Sequence, residues 1–81
     1  MVERFGYGEI MQQVQLAVFN GAKMKERRLK RKIGRRQLAK IVGVTVEAIR
    51  QFESGISTPL LGNMRKIEDA LRLRPGALIQ R

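Results

Sequence analysis

Between residues 23 and 36 the chain sets Lys23, Lys25, Arg27, Arg28, Lys30, Arg31, Lys32, Arg35 and Arg36 against a single acid, Glu26, a net of +8 in fourteen residues. Cations at this density repel one another at i, i+4 unless something negative lies against them. The chemistry they offer is neutralisation of a polyanion, which repays clustered Lys and Arg by releasing counterions. A solvated helix face would mix the signs. A membrane-surface helix would need a broad apolar side, where this segment has only Met24, Leu29 and Ile33. A second set is chemically different: on a helical wheel Val46, Glu47, Arg50, Gln51 and Ser54 cluster on one side, with Ala48, Ile49 and Phe52 on the other. Arg suits guanine O6 and N7, Gln suits adenine, Glu accepts from cytosine N4, and Val meets a thymine methyl. Glu47 would repel a phosphate, so its presence favours reading bases over coating a backbone.

Composition narrows the classes around these two sets. Eighty-one residues hold one small domain, and 43% hydrophobic content is enough for a core. The chain has no Cys and no His, which excludes a disulfide framework, a zinc finger, and Cys or His catalysis. Its seven acids, against 17 Lys plus Arg, are too scattered to propose a catalytic pair, so no enzyme activity, metal or cofactor is expected. The longest apolar run, residues 16–19, is far too short to span a bilayer. A soluble chain without Cys fits a reducing cytoplasm.

Both sets must be positioned by short helices. Residues 1–8 carry two glycines and no periodicity. Residues 9–19 fit helical spacing and strand alternation equally well, and Asn20-Gly21 stands as a stop after them. The chain thus divides into an extension at 1–22, with a possible dimer or partner contact, and a domain at 23–81. A basic helix is expected at 22–32, and Gly34 is either its stop or the N-cap of the next helix. Leu38, Ala39, Ile41 and Val42 lie on a helix at 35–42 that ends at Gly43. Thr45 caps a third helix running to about Glu53, with Glu47 in its first turn. Ser57-Thr58-Pro59 opens a fourth through roughly Leu71, and Arg74-Pro75 opens a last turn carrying Leu78 and Ile79. The candidate core is Leu38, Ala39, Val42, Ile49, Phe52, Met64, Ile67 and Leu71, with Val44 plugging the inner side of the turn at 43–45.

Two short helices joined through Gly43-Val44-Thr45 have the organisation of a helix-turn-helix. Residues 23–79 resemble the lambda-repressor-like helix-turn-helix family of Cro and C1 type. The runs that carry the resemblance are Leu38-Ala39-x-x-Val42-Gly43-Val44-Thr45, Ile49-x-x-Phe52-Glu53-x-Gly55 followed by Pro59, and Met64-x-x-Ile67-x-x-Ala70-Leu71. The resemblance implies an all-α domain of four to five helices, the fifth at 73–79. It implies that Thr45, Val46, Glu47 and Gln51 face bases, with Arg50 adjacent, and that Arg35 and Ser54 approach phosphates. Lys23, Lys25 and Arg36 join the phosphate-facing set through the basic block. Arg28 and Glu53 occupy positions the family pairs, and a structural ion pair is the simplest role for them. Where the family usually has Gln this chain has Arg35, and Gly34 replaces a better cap.

The expected function is sequence-specific binding of double-stranded DNA by a transcriptional regulator, a repressor more than an activator, acting as a homodimer. The segment at 73–79 and residues 9–19 are the two candidate dimer surfaces, and 9–19 could instead dock a protein partner. Two other readings stay open: an antitoxin or coactivator-type adaptor with the same fold, and a basic RNA-binding protein. Against the latter stand a single Tyr and three Phe with no stacking platform.

Overall fold

The computed structural model describes residues 18–80. Four helices follow one another as α1 (Gly21–Lys30), α2 (Arg35–Val42), α3 (Val46–Ser54) and α4 (Leu61–Ala70). Two short strands, β1 (Val18–Phe19) and β2 (Ile79–Gln80), close the two ends of this unit against each other. They pair antiparallel, Val18 opposite Gln80 and Phe19 opposite Ile79. α3 packs on both α1 and α2, and α2 also packs on α4.

Each helix buries the stripe its apolar spacing dictates. Leu38, Ala39 and Val42 from α2 meet Ile49 and Phe52 from α3, Ile67 and Leu71 from the α4 end, and Met24 from α1. Met64 is buried as well, and Val44 packs partly buried against the cluster. Ile41, a quarter-turn away from that stripe, is exposed.

The helix ends explain most of the boundaries. Gly43 and Gly55 take left-handed φ values of 86° and 83°, which a glycine adopts without steric cost, and they end α2 and α3. Thr45 Oγ1 accepts from the Ala48 amide at 3.0 Å and starts α3. α1 ends two residues before the expected limit, because Lys32 itself takes the left-handed conformation at φ 58°. The Ile33 amide then donates to the Arg28 carbonyl and the Lys32 amide to that of Leu29, the paired bonds of a Schellman ending. Arg72, at φ 56°, ends α4 in the same way through Leu73 to Glu68 and Arg72 to Asp69. α4 starts at Leu61, not at Ser57, since Pro59 is buried in an extended exit loop and Leu60 is the N-cap.

The start of the domain lies earlier in the chain than the basic block. Asn20-Gly21 follows the end of β1 at Phe19 and also begins the next element: Asn20 Oδ1 accepts from the Lys23 amide at 2.9 Å, and Gly21 is the first residue of α1. A Cβ at Gly21 would overlap the Phe52 carbonyl oxygen, so only glycine lets α1 approach α3 this closely. The division between 22 and 23 therefore falls inside α1, and Phe19 already packs against the core. Residues 1–17, including most of the ambiguous 9–19 segment, lie outside the described residues.

The end of the chain is corrected too. No fifth helix forms at 73–79; a turn over residues 75–78 leads into β2. The turn is held from several sides. Glu68 Oε2 accepts from the Gly76 amide at 2.8 Å, and the Asn20 amide donates to the Leu78 carbonyl at 2.6 Å. Leu78 has no exposed surface. It belongs to the protomer's own core and is not available as the dimer surface suggested for this segment.

One polar node crosses the core. Arg28 of α1 donates through Nε to Glu53 Oε2 at 2.6 Å and through Nη2 to Oε1 at 3.3 Å, while its Nη1 donates to the Ile33 carbonyl at 2.9 Å. Arg35 of α2 adds an Nε bond to Glu53 Oε1 at 3.1 Å. Glu53 is therefore bonded to two other helices at once. Its side chain is 2% exposed, and burying its charge is tolerable only because both oxygens are met by guanidinium donors.

Three stability changes follow from this packing and can be measured by chemical denaturation. Phe52→Ala is expected to cost about 3–5 kcal/mol, close to the whole stability of a small domain; a fully folded, equally stable variant would refute its core role. Glu53→Ala should cost about 3–5 kcal/mol because it strands the buried Arg28 guanidinium, and a loss below 1 kcal/mol would show the node to be dispensable. Arg72→Gly should stabilise by about 0.5–1 kcal/mol, the relief of a left-handed side-chain residue less the added freedom of the unfolded chain. A drop in stability there would mean that the arginine side chain outweighs the backbone cost.

Candidate nucleic-acid interface

α2, the Gly43–Thr45 turn and α3 form the helix-turn-helix, and the outer side of α3 is what it presents. Thr45, Val46, Glu47, Arg50 and Ser54 are exposed, and Gln51 is half-buried. At 1.5 Å per residue α3 is roughly 13 Å long, a length that suits a major groove about 12 Å wide.

The exposed side chains are already organised among themselves. Arg50 Nη1 donates to Glu47 Oε1 at 2.9 Å, and Gln51 Nε2 donates to Glu47 Oε2 at a longer 3.4 Å. Ser54 Oγ donates to the Gln51 carbonyl at 3.2 Å. Glu47 thus holds the two side chains best suited to base edges against α3. The Arg50–Glu47 pair is about 60% exposed at both ends, so it contributes little stability and is easily exchanged for another partner.

A cleft of ≈ 270 Å³ runs beside this face, lined by Lys25, Arg35, Glu47, Arg50, Gln51, Glu53, Ser54 and Ile56. The structure therefore brings Lys25 and Arg35 to the same surface as Glu47, Arg50, Gln51 and Ser54. Arg35 does two things there: its Nε is on Glu53, yet its side chain is 37% exposed. Arg36 is exposed on α2.

Lys23 is not part of this surface. Two positions from Lys25 is 200° around a helix, and Lys23 Nζ donates to the Ala77 carbonyl at 2.9 Å, tying α1 to the C-terminal turn. That bond gives Lys23 a structural contact within the fold. Sequence reasoning also missed the Arg35–Glu53 bond and the place of Ile56 on the cleft. Residues 35 and 53 lie eighteen apart, and no local spacing signals their contact. Ile56 follows α3 after a left-handed glycine that turns the chain back beside the helix.

Among the described residues no group of three or more His, Cys, Asp or Glu is placed to hold a metal ion, and no helix is long and apolar enough to cross a membrane. The arrangement offers charge, hydrogen-bond donors and hydrogen-bond acceptors along the outer side of α3.

No curated protein sequence matches the chain significantly. A helix-turn-helix family model matches residues 24–78, from the buried Met24 of α1 to the buried Leu78 ahead of β2. Among solved structures, the P22 c2 repressor protein, in complex with synthetic operator 9T in the presence of Tl+, is similar at 36% sequence identity with a TM-score of 0.69. The match covers 72% of this chain and 88% of that repressor chain. On the family-model match over residues 24–78 and this similarity in fold and sequence, the chain belongs to the lambda-repressor-like helix-turn-helix family of DNA-binding regulators.

Proposed function

We propose that the protein is a sequence-specific transcriptional repressor that lays α3 in the major groove of double-stranded DNA, two copies binding a roughly palindromic operator. The observation that carries this reading is the exposed face of α3: Glu47, Arg50 and Gln51 lie side by side on it, with Lys25 and Arg35 lining the adjoining cleft. Groups that discriminate bases sit at the centre and groups that attract phosphate sit at the flank, the division expected of a site that both reads and holds. The similarity to a repressor bound to an operator supports the same reading.

In this mechanism Lys25, Arg36 and the exposed part of Arg35 neutralise phosphates and set the register. Arg50 and Gln51 then exchange Glu47 for base edges, and Val46, at the start of α3, meets an apolar base group such as a thymine methyl. Each good base contact contributes about 1–3 kcal/mol of discrimination. One copy reads a half-site only, and two half-sites a helical turn apart, about 34 Å, match a two-fold pair. Occupation of such a site denies the same stretch of duplex to other proteins, which is repression by exclusion. The cytoplasm is the compartment proposed.

Selection from a random duplex library, followed by salt titration of the winner against a scrambled duplex, tests the assignment. Glu47→Ala and Gln51→Ala should change which sequences are enriched. Lys25→Ala should weaken binding to every duplex and reduce the salt slope by about one. If all three variants lose affinity uniformly, or if the wild type enriches nothing, the base-reading assignment is wrong.

A further inference from the structure

We infer that the side of α1 carrying Lys23, Arg27 and Lys30 holds a second segment of double-stranded DNA by its phosphates, so that a copy seated on its operator ties that site to another stretch of duplex. This rests on the duplex-DNA reading above and adds to it a second contact that is independent of sequence. The cations of residues 23–36 divide by place. Arg28 is buried against Glu53, and Lys25 and Arg35 line the cleft beside α3. Lys23, Arg27 and Lys30 line a different groove, of ≈ 580 Å³, together with Asn20, Ala22 and Glu26. At about 100° per residue, these three cations lie roughly 140–200° around α1 from Lys25. A helix is about 10 Å across, so a duplex shared by Lys25 and α3 leaves this row facing away from it.

The row calls for an anion. Lys23 and Arg27 are four residues apart and Arg27 and Lys30 three, the spacings at which like charges repel on a helix. Arg27 and Lys30 are exposed, and among the described residues neither forms a salt bridge. Lys23 gives one of its three donors to the Ala77 carbonyl and keeps two. That bond also fastens to α1 the turn opened by Arg74, itself exposed. The dipole of α1 rewards Arg27 and Lys30 in its last turn, but it opposes a cation at Lys23, the third residue of the helix.

Chemistry selects the occupant. Ala22 is the one apolar residue on the groove, and no aromatic ring lines it. A protein interface is anchored by buried aromatic or Arg side chains in desolvated pockets, a membrane-surface helix needs a broad apolar face, and a single strand needs rings on which its bases stack. The backbone of a duplex needs none of these; it takes exposed cations and releases counterions in return. A row from residue 23 to residue 30 is roughly 10 Å long, enough for about two or three phosphates of one strand. Contact of that size is weak in free solution. A neighbouring segment of the DNA molecule that carries the operator arrives at a much higher effective concentration, and there a weak second contact suffices. Glu26, on the same groove, keeps the contact weak enough to be released.

The test immobilises the selected operator duplex in excess over the full chain, so that no unbound copy is left, and then offers a labelled duplex lacking the selected sequence or, in a separate arm, labelled polyglutamate. The wild type is expected to retain the second duplex, with a logarithmic salt slope of about −2 to −3. Arg27→Gln combined with Lys30→Gln should lower retention about tenfold and bring that slope down by about two. The charge-matched pair Arg65→Gln and Lys66→Gln, exposed on α4, should retain it as the wild type does. Both double variants should melt as the wild type does and fill the operator equally well. Equal loss of retention in the two pairs would trace the effect to net charge, and undiminished retention in the α1 pair would place the second duplex elsewhere. Either result overturns the inference, as does a loaded wild type that retains no second duplex or retains polyglutamate in its place. All of these leave the DNA reading intact. Failure to fill the operator itself overturns that reading, and this inference with it.

Discussion

A single carboxylate organises this domain. Glu53 is buried at the crossing of three helices, and a buried charge without partners would cost more than a domain of this size could tolerate. Arg28 satisfies it from α1 and Arg35 from α2, so the orientations of both helices relative to α3 are set by the reach of two guanidinium groups. The node carries one negative and two positive charges. Its surplus is positive, and the group that carries the surplus toward solvent is Arg35, on the cleft beside the outer face of α3. Because Arg28 alone meets both oxygens of Glu53, Arg35 is free to turn toward an anion without leaving the buried carboxylate unpaired. A demand of folding thereby places a cation next to the exposed face of α3.

The same economy governs the total charge. The +8 of residues 23–36 is distributed around α1 and the start of α2, whereas α3 carries Arg50 against Glu47 and Glu53. Within that helix the charges are spoken for, Glu53 by the core and Glu47 by Arg50 and Gln51. A near-neutral helix is thereby held beside a basic flank. In the proposed function, long-range charge raises the encounter rate with any duplex, and short-range hydrogen bonds decide which one is kept.

Local chemistry was readable where one residue type has one role, and unreadable where it has two. Gly43, Gly55 and Thr45 each sit in the conformation that their residue type prefers, and α2 begins and ends at the residues its pattern indicates. Asn20-Gly21 is different, since Asn and Gly are favoured at either end of a helix. The close approach of Gly21 to the Phe52 carbonyl decides between them, and that is a contact across thirty residues. Lys32 and Arg72 end their helices in a conformation usually left to glycine, so composition carried no sign of either stop. Lys23 and Lys25 are equivalent in a charge count and differ only in the side of α1 they occupy.

The C-terminal segment shows how the missing fifth helix changes the rest of the molecule. A helix at 73–79 would satisfy its own backbone; the turn and short strand found there borrow partners from the beginning of the domain instead. The carbonyls of Ala77 and Leu78 accept from Lys23 and Asn20, the Gly76 amide donates to Glu68, and Ile79 pairs with Phe19. Leu78 fills the core between these ties. These groups are committed within the protomer itself. Drawing it away for assembly would expose Leu78 and release the start of α1, where Gly21 seats against α3. The segment that ends the domain is thus part of what holds α1 and α3 together.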